Sequence, residues 1–294
     1  MEYKVNCLND TTLRNSFHAL TQKVFHFQLK DWYNNGYWSE SYEPHSLVDG
    51  NTVISNISVN HMHMMISGVE KYYLQIGTVM TDPAYRNLGL SRRLMESILH
   101  KYTGKVDGIY LFANDSVLDF YPKFGFKERK EFVYRLRIES NDWIDNSHES
   151  VSSLQKIDGK DIVQREALLS AAKQSIPNES FSMDNFGLLA FYLIGPLSDD
   201  IYYLPSLDTY VIASIENDVL FLHHIIASKQ INPKDIVPYF GNRIKTLELG
   251  FTPFYTSDYE ISTYHEDDCT LFTLGEDLES VETLKLRFPI LSHS

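Results

Sequence analysis

Apolar side chains recur at helical spacing in two stretches of the first half of the chain. They are Leu13, Phe17, Leu20 and Val24 in the first stretch and Leu90, Leu94, Met95, Ile98 and Leu99 in the second. The first stretch follows Asp10, a residue type that caps helix N-termini, and it predicts a helix from about Thr12 to Phe27. In the second stretch charged residues occupy the intervening positions and Gly104 follows, which predicts an amphipathic helix packed on a sheet.

Runs rich in β-branched and aromatic residues predict the strands of that sheet. Residues 52–66 and 72–81 flank a short polar link that contains a glycine and suits a hairpin. Residues 109–113 predict a short strand, 117–121 a short helical turn and 131–138 an alternating strand. The first half therefore reads β-α-β-β-α-β-α-β, a mixed α/β domain with helices on its sheet.

The second half of the chain has weaker patterns. They predict a hairpin at residues 210–215 and 219–226, a helix at 233–249, and strands at 255–264 and 269–274. The polar segment Glu139–Asp161, rich in Ser, Asn and Asp, separates the two halves. Because 294 residues exceed what one core usually holds, we expect two domains, residues 1–150 and 151–294.

Composition and charge narrow the classes of function. Hydrophobic residues make up 43% of the chain and charged residues 22%, which is typical of a globular protein and excludes a disordered one. The net charge of −13 opposes binding to nucleic acid. Residues 1–150 carry 16 basic against 18 acidic side chains, whereas residues 151–294 carry 10 against 21. This acidity either steers a cationic substrate or simply keeps the protein soluble.

Cysteine and histidine positions give little sign of a metal site. Cys7 and Cys269 have no CxxC spacing, which favours a reduced, intracellular protein. No apolar run approaches the roughly 20 residues of a membrane span, so we expect a cytoplasmic protein with no membrane partner. His61 and His63 share one face of a predicted strand, but no third ligand is identifiable and no metal site is predicted.

The segment from Thr78 to Met95 predicts a strand, a tight turn and a helix, and such a junction binds anions. The first N–H groups of the helix lack intrahelical partners, and the helix dipole is positive there. Gly89 permits close approach, and Arg86 and Arg92 add charge-assisted hydrogen bonds to phosphate. The alternative is a well-capped turn that binds nothing.

A second block, Asn114–Phe126, follows the next predicted strand. Together the two blocks resemble the GNAT superfamily of acyl-CoA-dependent N-acyltransferases, with a V-x-T-x-P-x-Y-R-x-x-G-x-[GAS] loop and then an asparagine and an FY-x-x-x-GF block. The matching residues are Val79, Thr81, Pro83, Tyr85, Arg86, Gly89, Asn114, Phe120, Tyr121, Gly125 and Phe126. Ser91 stands where the family usually has Gly or Ala. The resemblance covers about residues 3–138, and it is greatest to larger bacterial members related to enhanced-intracellular-survival acetyltransferases.

The resemblance implies a GNAT-like N-terminal domain that uses acetyl-CoA as co-substrate. It places the backbone of Val79, Met80 and Thr81 against the pantetheine arm and Asn114 near its thioester end. Residues that the resemblance places around the diphosphate and the adjoining arm are Arg86, Asn87, Leu88, Gly89, Leu90, Ser91, Arg92 and Phe120. The second half has no counterpart of this loop, and its loose echo of the strand order suggests a degenerate GNAT-like α/β domain.

The chemistry that the resemblance implies is direct attack of a primary amine on the thioester. Tyr121 matches the general acid of the family, and the alternative role for it is aromatic packing. The glutamate that acts as base in histone-type relatives aligns with Gln75, which cannot accept a proton. Other candidates for the base are Asp31, Glu40, Glu43, His61, His63 and a water chain.

The amine acceptor, a small molecule or a peptide, is not identified by the sequence. Residues 31–42 pack aromatic side chains and carboxylates into one loop, which is either an ammonium-binding cage or a folded anchor. The candidate acceptor residues are Trp32, Tyr33, Tyr37, Trp38, Glu40, His61 and His63. A non-catalytic CoA-binding sensor or an interaction protein is the alternative function, and the sequence predicts no oligomeric state.

Overall fold

The computed structural model describes residues 1–139 and 154–293. The strands are β1 Glu2–Val5, β2 Tyr42–Asp49, β3 Thr52–Ile66, β4 Val69–Thr81, β5 Gly108–Ala113, β6 Lys127–Glu128, β7 Glu131–Arg137, β8 Gln155–Lys156, β9 Phe181–Asp184, β10 Ile201–Leu204, β11 Thr209–Glu216, β12 Val219–Ile226, β13 Thr246–Leu249, β14 Glu260–Tyr264 and β15 Thr270–Leu274. The helices are α1 Thr11–Phe25, α2 Lys30–Asn34, α3 Leu90–Tyr102, α4 Ile162–Gln174, α5 Phe186–Ile194 and α6 Ser280–Thr283. Across the described residues, none of these helices has the length and apolar character that crossing a membrane requires.

Two mixed sheets organise the molecule, which confirms the predicted α/β class. The first sheet has the order β1-β2-β3-β4-β5-β15-β6, and β9 pairs with the end of β3. The second has the order β14-β7-β13-β12-β11-β10-β8. Each sheet contains one parallel pair, β4 with β5 and β12 with β13, among antiparallel neighbours.

The two sheets exchange strands across the middle of the chain. Strand β15, from the second half, pairs with β5 and β6 in the first sheet. Strand β7, from the first half, lies between β13 and β14 in the second sheet. The predicted boundary near residue 150 lies outside the described residues, and the sheets are assembled from both sides of it.

Helix α3 covers one face of the first sheet and forms its main core. Leu90, Leu94, Met95 and Ile98 are buried in one cluster with apolar residues of β2 to β5. Helix α1 packs through Leu13, Phe17 and Leu20 into a second cluster. The Asp10 carboxylate accepts hydrogen bonds from the Thr12 and Leu13 amides, which confirms the predicted start of α1.

Two expectations about local structure were wrong, and one strand was missed. Residues 233–249 form a 3₁₀ segment, Pro233–Phe240, and then strand β13, because Pro238 removes a helical donor and Gly241 follows. Strand β4 begins at Val69 rather than residue 72, since Ser67 and Gly68 at positive φ make a two-residue turn. Strand β2 was missed because its buried positions include polar residues such as His45 and Ser46.

Candidate active site

The parallel pair β4–β5 opens at its carboxyl end. The two strands pair from Tyr73 with Gly108 to Ile76 with Leu111, and no later residue of β4 pairs with β5. Beyond Ile76, β4 keeps only its contact with β3 on the other side. On its other edge, β5 pairs with β15 from Ile109 to Ala113. One edge of the β4 segment 77–81 therefore borders an opening in the sheet.

A β-bulge shapes β4 where it passes this opening. The register of β3 against β4 shifts between Asn56 and Ser58, and Thr78 has a φ of 48°. The Thr78 hydroxyl lies 2.8 Å from the hydroxyl of Tyr42, which also accepts a hydrogen bond from Ser58 at 2.8 Å. Burial raises the pKa of Tyr42 to about 12, against hydrogen bonds from Ser58 and Thr78 that lower it. This buried polar network fixes the bulge.

The N-terminus of α3 lies immediately beyond the same end of β4. Gly89 precedes the helix at a φ of 74°, and no side chain caps the first turn. Asn87 also has a positive φ of 65°, and residues 86–89 are exposed. The Thr81 hydroxyl lies 2.9 Å from that of Ser91, which ties the strand end to the helix start. The first amide groups of α3 are thus available to an anion.

Positive charge surrounds this helix N-terminus. Arg86, Arg92 and Arg93 are exposed. Arg92 makes only a loose ion pair with Glu96, at 3.6 Å, and its guanidinium lies 5.3 Å from the centre of the Phe124 ring. Because an exposed pair of this kind contributes little, the arginines can turn toward a phosphate at small cost.

Tyr121 lies on the α3 side of the opening. It belongs to the buried cluster that contains Leu90 of α3 and Ala113 of β5, and 4% of its surface is exposed. Its ring contacts Phe126 and Phe272. Burial raises the pKa of Tyr121 to about 12, so the phenol is protonated at neutral pH. Phe120 packs edge-on against Tyr121, with ring centres 5.2 Å apart.

Asn114 follows β5 and is held by a residue that sequence reasoning missed. Its side-chain amide donates to the Asp268 carboxylate at 2.9 Å, and the Asp115 amide donates to the same carboxylate at 2.7 Å. Asp268 precedes β15, which comes from the other half of the chain. No local signal could have identified Asp268, since it is 154 residues away from Asn114.

Gln75 is fully buried in β4. Its side-chain oxygen accepts a hydrogen bond from Asn60 at 3.2 Å, and its Nε2 atom has no partner within residues 1–139 and 154–293. An amide at this position cannot take a proton from an amine, as the sequence indicated.

Glu43 and His61 are engaged by other residues. His45, Lys101 and Tyr102 bind the Glu43 carboxylate at 2.5 to 2.6 Å. Burial alone would raise the pKa of Glu43, but these hydrogen bonds hold it well below its usual range. Burial also lowers the pKa of His61, whose Nδ1 atom bonds to the Tyr72 hydroxyl. Both groups are weak bases at neutral pH.

The aromatic loop after α1 packs against the second half of the chain. Trp32 is buried, and its indole donates to the Gly187 carbonyl at 2.7 Å. Trp38 contacts Trp32 and Tyr42 with ring centres 4.9 and 4.4 Å apart. The remaining aromatic candidates of this loop also have partners: the Arg14 guanidinium lies over the Tyr33 ring, and Tyr37 contacts the Phe186 ring. The aromatic side chains of this loop are therefore packed, while its carboxylates Asp31 and Glu40 are exposed.

His61 and His63 share one strand face, as predicted, and both rings contact Tyr72. His63 also lines a cavity of about 570 Å³ between the β3–β4 hairpin and the second half. Glu179 and His224 also line that cavity. Their nearest nitrogen and oxygen atoms are 3.8 Å apart.

Comparisons with known proteins agree with this geometry. A family model described as "Acetyltransferase (GNAT) domain" matches residues 9–129. Among solved structures, a GCN5-related N-acetyltransferase from Kribbella flavida is similar at 15% identity and a TM-score of 0.55, covering 94% of this chain and 72% of its own. Eis1 from Mycobacterium abscessus is similar at 12% identity and a TM-score of 0.55, covering 92% and 73%. A GCN5-related N-acetyltransferase from Anabaena variabilis is similar at 14% identity and a TM-score of 0.53, covering 92% and 72%.

At these identities the structural likeness establishes the fold alone, and it extends over both halves of the chain. No curated protein sequence matches the chain. The family match and the fold together confirm the resemblance that the two motif blocks predicted.

Proposed function

We propose that the protein is an acyl-CoA-dependent N-acyltransferase, from the premise that residues 9–129 match the GNAT acetyltransferase family model. We propose acetyl-CoA as the acyl donor and a primary amine as the acceptor. The observation that carries the proposal is the coincidence, at one end of β4, of the sheet opening, the uncapped start of α3 and a buried, protonated Tyr121.

The residues at this end of β4 fit an acyl-CoA. The α3 N-terminus offers unpaired amide donors beside three exposed arginines, which suits a diphosphate. The free edge of residues 77–81 offers backbone groups to an extended amide-containing arm, in the manner of an added strand. When bound there, acyl-CoA supplies a thioester carbon that an amine can attack.

In this proposal the backbone of β4 positions the acyl-CoA, and Tyr121 supplies a proton to the departing sulfur. The bulge at Thr78 is held rigid by Tyr42 and Ser58, so the backbone amides around it stay fixed in direction. Tyr121 keeps its hydroxyl proton at neutral pH and can donate it to a departing sulfur. For a solvated thiolate this transfer is uphill, and burial beside Tyr121 also raises the pKa of the departing thiol, which narrows the gap.

The proton of the attacking amine has no strong acceptor among the candidate bases. Gln75 cannot accept it, and Glu43 and His61 are weak bases. We infer that the amine arrives already neutral or loses its proton to water. The acceptor roles of Trp32, Tyr33, Tyr37, Glu40, His61 and His63 stay predictions.

Calorimetric titration with acetyl-CoA and CoA tests the donor site. We expect micromolar binding by the wild type and a loss of at least about 100-fold in the double variant Arg86→Glu, Gly89→Asp, because it places two negative charges at the phosphate position. Arg137→Glu, an exposed charge reversal on β7, is the matched control and should bind within about twofold of wild type. Absence of binding in the wild type would contradict the proposal.

A CoA-binding protein without turnover is the second candidate function, and buried Gln75 in place of a base favours it. An amine screen that measures release of free thiol separates the two candidates. Acceptor-dependent release supports the transferase, whereas binding without release across amino acids, polyamines, aminoglycosides and peptides supports the sensor.

A further inference from the structure

A cluster of potential metal ligands lies where the chain crosses between the two sheets. Residues 265–269 connect β14 of the second sheet to β15 of the first. Glu266 and Cys269 belong to this connection, and His293 approaches them from the carboxyl-terminal segment. We call these three residues the crossover cluster.

The crossover cluster brings sulfur, nitrogen and oxygen ligand atoms together. One such atom from each residue lies within 4.8 Å of the other two. Around a tetrahedral Zn²⁺, with bonds of about 2.0 to 2.3 Å, neighbouring ligand atoms are about 3.5 Å apart. Side-chain movement on the order of 1 Å by Glu266 and Cys269 brings the three atoms to that spacing.

The His293 imidazole is held in place and has an unused nitrogen. Its ring stacks on Phe112 with centres 3.6 Å apart, and the Tyr192 hydroxyl donates to its backbone carbonyl at 2.5 Å. The Nε2 atom is buried and has no hydrogen-bond partner in the part of the chain that the structure describes. A buried ring nitrogen without a partner costs free energy, and a metal bond offsets that cost.

The charges around the crossover cluster favour a cation on balance. Asp267 and Asp268 adjoin it in the same connection. Arg287 opposes a cation, but its guanidinium lies over the Tyr264 ring at 3.1 Å and 3.9 Å from the Glu131 carboxylate, which offsets its charge. His265 is exposed and lies 3.6 Å from Asp267.

We propose that Glu266, Cys269 and His293 bind one Zn²⁺ ion, with water as the fourth ligand. Thiolate, imidazole and carboxylate together form a zinc donor set, whereas Ca²⁺ and Mg²⁺ take oxygen ligands. On binding, the S–H bond of Cys269 breaks, its proton goes to solvent, and a sulfur–zinc bond forms without any change in oxidation state.

The ion joins the crossover to the carboxyl-terminal segment, and so braces one side of the candidate active site. Asp268, next to Cys269, holds both Asn114 and the Asp115 amide. Zinc therefore keeps the residues at the end of β5 ordered and does not act on the acyl group. This inference does not depend on the proposed acyl transfer, since metal binding is measured without acyl-CoA.

The test is metal titration of tag-free, reduced protein after treatment with a chelator. We expect one Zn²⁺ per chain in competition with a chromophoric chelator, and a near-ultraviolet thiolate-to-metal absorption band when Co²⁺ replaces Zn²⁺. Cys269→Ser should abolish the cobalt band and weaken Zn²⁺ binding at least about 100-fold, and His293→Gln should weaken binding at least about tenfold. Glu266→Gln is a milder variant of the same site if Cys269→Ser does not fold.

Cys7→Ser is the matched control, because Cys7 is the other free cysteine of the described residues and lies near α1. It should leave the stoichiometry, the affinity and the cobalt band unchanged. The proposal is overturned if wild type binds Zn²⁺ no more tightly than the Cys269→Ser or Glu266→Gln variant, or if the cobalt band survives in Cys269→Ser.

Discussion

The parallel pairs β4–β5 and β12–β13 share a topology, but within the described residues only β4–β5 leaves the end of its first strand without a partner on that side. Strands β12 and β13 pair from Val219 with Thr246 to Leu222 with Leu249, so the end of β12 also extends beyond its partner. There, however, the chain fills the gap itself, because the Gly250 amide donates to the Leu222 carbonyl and the Ile176 amide to the Ala227 carbonyl. Beside β4, by contrast, no later residue pairs with β5, and an uncapped helix follows.

This difference teaches that the strand arrangement alone does not make an acyl-CoA site. The connection after β12 leads to the 3₁₀ segment Pro233–Phe240, whose first turn is capped by the Asn232 side chain at 3.1 Å. Its amide donors are therefore partly used, and no cluster of arginines adjoins it. An open strand edge and an uncapped, basic helix start must occur together, and they do so only in the first half of the described chain.

Removal of the Tyr121 hydroxyl should have the largest effect of the changes considered. We expect Tyr121→Phe to lower kcat by about 100-fold or more while leaving acetyl-CoA affinity within about twofold, because general acids contribute about 10² to 10⁴ in rate. The hydroxyl makes no hydrogen bond within the described residues, so stability should change little. Steady-state kinetics with calorimetry measures both quantities.

Tyr239→Phe, in the second half of the chain, is the control for this prediction. Tyr239 lies in the 3₁₀ segment that follows β12, and its hydroxyl contacts the Ser206 hydroxyl. Turnover by this variant should match wild type. A similar loss in both variants would assign the effect to general destabilisation, and unchanged turnover in Tyr121→Phe would remove Tyr121 from the mechanism.

Acid should lower the stability of the second half of the chain, because His223 takes up a proton there. Burial lowers the pKa of His223 to about 4, whereas an unfolded histidine titrates near 6.5. Between these values the unfolded state binds more protons, so the stabilisation is complete above about pH 6.5 and falls by up to about 3 kcal/mol as pH drops toward 4. Urea unfolding at several pH values should show a shallower slope for His223→Gln.

His100→Gln, an exposed substitution on α3, is the control for that titration. It should leave the pH dependence of unfolding unchanged. An equal flattening of the slope by both variants would mean that the partly buried His223 is not the source of the acid sensitivity.

The sequence could predict those features that depend on residues close together in the chain, and it could not predict those that depend on residues far apart. The loop from Arg86 to Gly89 and the block around Tyr121 are short motifs, and the structure places both at the opening of β4. The strand exchange was not predictable, because Leu111 of β5 pairs with Phe272 from the far end of the chain. The packing of Trp32 on Gly187 was missed for the same reason, since 155 residues separate them.

Adding a methyl group at Gly250 should destabilise the segment that closes the second opening. A Cβ atom there would lie 3.1 Å from the His223 Cα atom and 3.4 Å from its carbonyl oxygen, so backbone must shift. We expect Gly250→Ala to lower the free energy of unfolding by about 1 to 3 kcal/mol, as overpacking does. Urea denaturation measures it, and a change below about 0.5 kcal/mol would mean that this segment yields easily.

The same substitution at the open site should have a smaller effect on stability and a different cause. A Cβ at Gly89 meets nothing within 4 Å, but the residue has a φ of 74°, which costs an alanine about 1 kcal/mol. If acyl-CoA binds against this turn, the added methyl group also occupies the approach to the first amides of α3. Gly89→Ala should then weaken acetyl-CoA binding, an effect that backbone strain alone does not produce. Gly104→Ala, at a φ of 78° with equally open space after α3, carries the same backbone cost without that approach. Equal losses of stability with weaker binding only in Gly89→Ala would separate strain from ligand contact, whereas equal binding by both variants would place the diphosphate elsewhere.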